Sequence, residues 1–248
     1  MRRFFHTPDQ KQADQVHITG PEAHHMARVL RMQPGNHLEL FDGKGGIARG
    51  EILQISSRKV SIKILSHSTA VETTPPLSLV QAMLKGKKMD FLIQKATELG
   101  VHTFIPLVTR FCEKRSQGRQ QDKRWQRIML EACKQCGRPL PMQIGEPISL
   151  EQLRLPADGN RIMAWEDEQS QPLSPALLKP QMPTVVIIGP EGGFHSSEIN
   201  ETRQRGFTTV SLGPCTLRAE TAAMSAVAIL QNYNLLPNHD EPENVFKT

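Results

Sequence analysis

The chain contains little cysteine. Four cysteines occur among 248 residues, at positions 112, 133, 136 and 215, and they are too few and too scattered for the disulfide framework of a small secreted protein. Cys133 and Cys136 form one Cys-x-x-Cys pair, whereas a zinc ribbon needs a second pair or suitably spaced histidines. We therefore expect free thiols, a packing role for this pair and no metal site.

Long apolar runs are also missing. No stretch approaches the roughly 18 apolar residues that span a bilayer, and the opening Met1-Arg-Arg-Phe-Phe-His6 lacks the apolar core of a signal peptide. The sequence therefore predicts a cytoplasmic protein with no membrane partner. At 248 residues the chain can bury a full core in one large domain or two smaller ones.

Negative charge is scarce in the N-terminal half. Residues 1–138 hold 23 Lys and Arg against 12 Asp and Glu, a net charge of +11, whereas residues 139–248 hold 7 against 13, a net charge of −6. A basic surface attracts nucleic acid because it releases counterions from the phosphate backbone. The N-terminal half is therefore predicted to bind nucleic acid.

The first 72 residues predict a small, mostly β domain. Val60, Ile62 and Ile64 alternate with polar residues, which is the pattern of a half-buried strand. Strand-like runs lie at 38–41, 50–55 and 59–65, and one helix fits 22–31. Two prolines in Thr73-Thr-Pro-Pro76 favour an extended linker. We therefore divide the chain into domains at residues 1–72 and 73–248.

Strands and helices alternate after the linker. Strand-like runs lie at 77–83, 104–108, 161–165, 184–188 and 210–212, and helical patterns lie at 89–99, 124–136, from 196 or 197 to 205, and 221–234. This alternation is typical of an α/β fold, in which helices cover both faces of a mostly parallel sheet.

Two loops of the second domain are alike. Ile188-Gly-Pro-Glu-Gly-Gly-Phe194 and Leu212-Gly-Pro214 each follow an apolar run that stops at Gly-Pro. Loops at neighbouring strand ends of an α/β sheet form a crevice, where ligands bind. For either loop alone, an ordinary strand-to-helix turn is the simpler interpretation.

The first loop disfavours a nucleotide phosphate. A phosphate cradle combines glycines, a helix N-terminus and usually a lysine, whereas here the Glu191 carboxylate stands where the phosphate would lie. A ligand with adenine and ribose but no phosphate tolerates that carboxylate. S-adenosylmethionine fits this description.

Three segments carry a family resemblance. Gly189-Pro-Glu-Gly-Gly193, Leu212-Gly-Pro214 and Leu217-Arg-Ala-Glu-Thr-Ala222 resemble the C-terminal signature of SPOUT methyltransferases. Further matching stretches lie at 24–31, 94–100 and 131–138. Their order and spacing resemble most closely the ribosomal RNA small-subunit methyltransferase E family, although the usual Arg-Thr-Glu-Thr reads Arg218-Ala-Glu-Thr221 here.

The resemblance implies a fold and an activity. It implies a PUA-like β-barrel that binds RNA, followed by a SPOUT domain with a C-terminal trefoil knot, in a homodimer. It also implies that S-adenosylmethionine donates a methyl group to N3 of a uridine in 16S ribosomal RNA, within the small (30S) subunit.

On this basis we predict a methyl-donor pocket built mainly from backbone groups. Its predicted residues are Ala164, Trp165, Gly189, Glu191, Gly193, Leu212, Gly213 and Leu217. Arg218 is predicted to stabilise negative charge on a uracil oxygen. Glu220 is the candidate base, and a structural ion pair with Arg218 is its alternative role.

Other residues are assigned to RNA binding or to the framework. Arg3, Arg28 and Arg31 are predicted to face RNA phosphates, and Glu98, Arg138 and Glu191 to support the loops. Two other classes of protein compete with this prediction. The first is a non-catalytic RNA-binding protein, and the second is a nucleotide-dependent α/β enzyme, which the missing phosphate loop disfavours.

Overall fold

The structure is a computed structural model that describes residues 1–12, 14–112 and 119–235. The chain divides into two compact units. The first comprises Met1–Glu72 and Arg127–Pro141, and the second comprises Thr73–Gln126 and Met142–Thr248. The division passes through one helix, so residues 127–141 are part of the first unit although they lie far from it in sequence.

The first unit is a β-sheet with a short helical segment. Its elements are β1 (Arg2–Phe5), β2 (Lys11–Gln12), β3 (Gln15–Thr19), α1 (Gly20–His24), β4 (His37–Phe41), β5 (Gly46–Ile55) and β6 (Lys59–Thr69). Among the described residues, six strands form one sheet in the order β1-β4-β5-β6-β3-β2. β1 runs parallel to β4, and the other pairs are antiparallel.

The predicted alternation in this unit places side chains in its core. Val60 and Ile62 are fully buried, and Ile64 packs against the same core. The predicted helix begins earlier than residue 22, because Pro21 suits the first helical turn, and it continues as a π-helix from His25 to Val29.

The Cys-x-x-Cys pair is only partly a packing feature. All four cysteines are free thiols, as predicted. Cys133 is fully buried, and burial raises the pKa of its thiol to about 11. Cys136 is exposed, so the predicted packing role holds for Cys133 alone.

The second unit is an α/β fold. Its elements are β7 (Leu77–Ala82), α2 (Lys88–Glu98), β8 (Thr103–Val108), the first part of α3 (Arg119–Cys136), β9 (Gln143–Ile144), β10 (Ile148–Ser149), β11 (Asn160–Ala164), β12 (Thr184–Ile188), α4 (Ser196–Gln204), β13 (Thr208–Val210) and α5 (Ala219–Leu235). The strand order is β10-β8-β7-β12-β11-β13, and β9 also pairs with β8. Every described pair in this sheet is parallel, so the predicted α/β class is confirmed.

β12 lies inside this sheet. All five of its residues are buried, which explains why its sequence is a continuous apolar run rather than an alternating one. β7 and β11 flank it, and α5 packs against both β7 and β12. In the described part of the chain, no helix has the length and apolar character needed to cross a membrane.

Some boundaries differ from the predicted ones. β13 ends at Val210, not at residue 212, because its three residues pair with Ile162–Ala164 of β11. The helix cap is His195 and not a serine. The His195 side chain accepts a hydrogen bond from the Ser197 N–H, and the His195 N–H donates to Glu198 Oε2 at 2.9 Å.

Candidate active site

The carboxyl ends of β11, β12 and β13 border one cavity of about 1110 Å³. Parallel strands end on the same edge of a sheet, which is where α/β folds bind ligands. The segments that follow the three strands line the cavity, and the first turn of α5 adds a wall. Its volume suits a ligand of nucleoside size or larger.

The structure brings the predicted pocket residues together. All eight of them line this cavity: Ala164, Trp165, Gly189, Glu191, Gly193, Leu212, Gly213 and Leu217. Arg218 also lines it and is exposed, whereas Glu220 lies on α5 and is not among the lining residues. The assignment of the eight lining residues to a methyl-donor pocket stays a prediction.

The turn after β12 requires glycine at two positions. Gly193 has φ +71°, and a Cβ there would collide with the Glu166 carboxylate. A Cβ on Gly189 would lie 2.9 Å from the Phe194 ring. The Gln81 side-chain amide donates to the Gly189 carbonyl at 3.2 Å, so the neighbouring strand β7 fixes the turn. The turn therefore offers backbone groups to the cavity in a fixed geometry.

Lys88 joins two carboxylates at the edge of the cavity. Its Nζ donates to Glu191 Oε1 at 2.9 Å and lies 3.3 Å from Glu220 Oε2. Hydrogen bonding to Glu191 raises the pKa of Lys88, against the effect of burial. Burial opposes ionisation of Glu191, but the hydrogen bonds from Lys88 and from backbone N–H groups, together with the charge of Lys88, outweigh it and lower the pKa of Glu191. The partner of Glu220 is therefore Lys88 and not Arg218, which corrects the predicted ion pair.

An acidic segment forms the wall after β11. It consists of Glu166, Asp167 and Glu168, which all line the cavity. The Ser170 hydroxyl donates to Glu168 Oε1 and the Thr209 hydroxyl to Oε2, both at 2.7 Å. These hydrogen bonds lower the pKa of Glu168 to about 2, so this wall carries negative charge near neutral pH.

Arg203 connects this acidic segment to β13. Its Nη2 donates to Thr209 Oγ1 at 3.0 Å and lies 3.6 Å from Glu168 Oε2. The guanidinium carbon stands 5.2 Å from the centroid of the Trp165 ring, which is cation–π distance. Trp165 is thus held in place at the cavity from one side.

Two family models match the sequence. The model of an RNA methyltransferase domain matches residues 72–231, and the model of an RNA methyltransferase PUA domain matches residues 18–65. The ribosomal RNA small subunit methyltransferase E of Aquifex aeolicus is 34% identical over 83% of this chain and 90% of that protein. The chain belongs to the ribosomal RNA small subunit methyltransferase E family.

Solved structures related to this chain share its fold. A methyltransferase of Legionella pneumophila, solved with bound S-adenosylmethionine, has a TM-score of 0.78 and 31% identity, covering 93% of this chain and 96% of that one. The methyltransferase E of Neisseria gonorrhoeae, also bound to S-adenosylmethionine, has a TM-score of 0.81 and 26% identity, covering 94% of this chain and 97% of that one.

Membership of the methyltransferase E family decides between the competing predictions. The matched methyltransferase domain contains every residue that lines the cavity. The alternative of a non-catalytic RNA-binding protein is therefore not supported. The PUA match confirms the predicted class of the N-terminal domain.

The three predicted RNA-binding arginines of this methyltransferase E chain differ in environment. Arg3 lies opposite Glu39 in the β1–β4 register and forms an ion pair with it. Arg28 and Arg31 are exposed. An RNA contact stays a prediction for all three, and Arg3 already has a counterion within its own sheet.

Of the predicted framework residues, Glu98 pairs with Lys95 on α2 at 2.8 Å. Arg138 lies 4.0 Å from Glu72 in the first unit. Neither lines the cavity. Glu191, the third predicted framework residue, does line it and forms an ion pair with Lys88.

Sequence reasoning missed Lys88, Gln81 and the acidic wall. Lys88 and Glu191 are 103 positions apart, and their contact depends on β7 lying next to β12. The acidic segment did carry a signal, because Glu166-Asp-Glu168 directly follows a predicted strand at the sheet edge that holds the Gly-Pro loops.

Proposed function

We propose that this chain transfers the methyl group of S-adenosylmethionine to N3 of a uridine in 16S ribosomal RNA of the small subunit. The observation that carries the proposal is the cavity at the ends of β11, β12 and β13, in which all eight predicted donor-pocket residues meet. The methyl donor bound to the Legionella and Neisseria relatives supports the choice of ligand.

The residues of the cavity fit that donor. S-adenosylmethionine supplies an electrophilic methyl group on a positively charged sulfur, and it carries no phosphate. The acidic wall of Glu166, Asp167 and Glu168 favours a cationic ligand. The backbone of the Gly189–Gly193 turn and of residues 212–217 offers donors and acceptors for the adenine and ribose.

The uridine must lose a proton before its N3 can attack. We assign this proton to the Glu220 carboxylate, which lies in the first turn of α5 beside the cavity. The electron pair left on N3 then forms the new bond to the methyl carbon, while the bond between that carbon and sulfur breaks. Negative charge on the uracil before attack is shared with its carbonyl oxygens, and the exposed Arg218 at the cavity wall stabilises it there.

The target uridine must be unpaired. N3 lies on the Watson–Crick edge of uracil, so a pairing partner blocks it, and enzymes that modify such atoms act on single strands or on flipped-out bases. Alignment of N3 with the methyl group supplies much of the rate acceleration, on the order of 7 to 11 kcal/mol in favourable intramolecular reactions.

We also propose that residues 1–72 form the RNA-docking domain and that the active form is a homodimer with a C-terminal trefoil knot. The exposed Arg28 and Arg31 and the charge of +11 over residues 1–138 support the docking role. The loop after β12, the loop after β13 and the start of α5 share one cavity, as a knotted donor site requires.

Methyl transfer to ribosomal particles tests the activity. Small ribosomal subunits that lack the modification are incubated with the protein and tritiated S-adenosylmethionine, and the product nucleoside is identified by mass spectrometry. The proposal expects N3-methyluridine at one site. A methyl group on guanosine or on ribose would overturn the uridine N3 assignment.

A further inference from the structure

A second surface lies beside the cavity, and we call it the rim. It consists of Lys85, Lys87, Arg110, Phe111 and His195, which follow β7, β8 and β12 at the same edge of the sheet. Lys85, Lys87 and Arg110 are exposed. Phe111 is also exposed, at 49%.

Phe111 packs directly against the glycine-rich turn. A Cβ added to Gly192 would lie 3.1 Å from the Phe111 Cβ, so only glycine allows this approach without a shift. The Phe111 ring meets the His195 ring edge to face, with centroids 5.9 Å apart. Phe111 therefore packs against the same turn that borders the cavity.

Cations lie on the segments that contact the turn. The Lys85 backbone N–H donates to Glu191 Oε1 at 3.2 Å, so the lysine segment reaches the turn. Arg110 Nη1 stands 3.1 Å from Nε2 of His195, whose ring contacts Phe111.

The carboxylates of the rim are already engaged. Glu191 accepts from Lys88, and Glu198 accepts from the N–H groups of Arg110 and His195, both at 2.9 Å. Four cations, at positions 85, 87, 88 and 110, stand against these two carboxylates, so the net charge of this region is positive.

We propose that the rim binds the unpaired RNA strand next to the target uridine, with Phe111 stacking on a base and the exposed cations contacting phosphates. An exposed ring flanked by cations is the combination that binds single strands, because every base has a face for stacking and every linkage carries a phosphate. A duplex keeps its bases stacked on each other, so it leaves the ring without a partner. The inference rests on the proposed function, since it places RNA beside the methyl-donor cavity.

Binding of a fluorescein-labelled oligouridylate to the full-length protein tests the rim, by anisotropy over a range of salt concentrations. Phe111→Ala should weaken binding by about 5-fold to 150-fold, the range for loss of one stacked base, with no change in the salt slope. Arg110→Ala and Lys87→Ala should each reduce the slope of log Kd against log salt by about 0.7, the value for one phosphate contact on a single strand. An RNA duplex should bind the protein and Phe111→Ala equally well.

Two further variants exclude trivial explanations. Phe111→Leu keeps the Cβ that packs on Gly192 but removes the aromatic face, so it should bind RNA as weakly as Phe111→Ala. Phe91→Ala removes a 39% exposed ring from α2 and should leave the affinity unchanged.

Unchanged oligouridylate affinity in folded Phe111→Ala would overturn the proposal. So would a change in oligomeric state by sedimentation with RNA affinity intact, because it would assign the ring to a contact between protein chains. Calorimetry with S-adenosylmethionine separates this inference from the proposed function. If the wild-type protein does not bind the methyl donor, the proposed function fails, whereas the anisotropy result still decides whether Phe111 binds RNA.

Discussion

At the scale of single residues, Lys88 partly compensates two carboxylates at the edge of the cavity. Its single positive charge is shared between Glu191 and Glu220, and Arg218 is the exposed cation of the cavity wall. In the proposed mechanism Arg218 acts on the substrate, and Lys88 positions the Glu220 carboxylate beside the cavity.

Arg218→Ala should lower kcat and leave the affinity for S-adenosylmethionine nearly unchanged. Removal of one donor to a developing oxyanion typically costs roughly 100-fold to 1,000-fold in rate. Steady-state methyl transfer and calorimetry measure the two quantities. Arg218→Lys keeps the charge and should retain part of the rate. A loss of donor affinity as large as the loss of rate would contradict this role.

Glu220→Gln should slow the reaction, and the rate should partly recover as the pH rises. The amide removes the base but keeps its shape, and at higher pH the uracil loses its N3 proton without help. Glu191→Gln is the matched control, because it removes the other carboxylate partner of Lys88. The control should lower thermal stability and show no recovery with pH. If Glu220→Gln behaves in the same way, Glu220 is a structural residue.

The two Gly-Pro loops of the cavity wall could be predicted from the sequence, but the acidic segment and the ion pairs of Lys88 were not. Gly-Pro after an apolar run marks a strand end wherever it occurs, so local sequence located both loops. The contacts of Lys88 depend on β7 lying between β8 and β12. Alternation of strands and helices predicts a parallel sheet but does not specify that order.

At the scale of elements, the segment after β11 is held in place by its hydrogen bonds to β13. Glu168 accepts from Thr209 of β13, and Arg203 of α4 donates to the same threonine. In a short strand, pairing with the neighbouring strand determines where the strand ends. β13 stops at Val210 because its pairing with β11 ends there, whereas the apolar sequence predicts a strand that extends to residue 212.

Glu168→Gln should destabilise the protein in a pH-dependent way. The folded-state pKa of Glu168 is depressed from 4.5 to about 2, so its contribution to stability is complete above pH 4.5 and is lost as the pH falls toward 2. The difference in free energy of unfolding between wild type and variant should be constant above pH 4.5 and shrink below it. Thr209→Val removes one donor and should show a smaller effect of the same sign. Denaturant titrations at several pH values measure the free energy of unfolding. A difference between wild type and Glu168→Gln that stays constant down to pH 2 would contradict the lowered pKa of Glu168.

At the scale of the whole molecule, the chain combines a β-sheet unit with an α/β unit that contains the complete cavity. Composition and periodicity were enough to predict both classes of fold. They did not predict that residues 127–141 are part of the first unit, because membership of a compact unit depends on tertiary contacts and not on the neighbouring sequence.

The central claim is that the cavity bordered by the turn at Gly193 binds the methyl donor. Calorimetric titration of Gly193→Leu with S-adenosylmethionine tests it most directly, because the Cβ of a Leu there would collide with the carboxylate of Glu166, which also lines the cavity. Gly35→Leu is the control, since Gly35 also has a positive φ, at +84°, but has open space around it. The account predicts that wild type and Gly35→Leu bind the donor with equal affinity and that folded Gly193→Leu does not bind it. Wild-type affinity in folded Gly193→Leu would contradict the account.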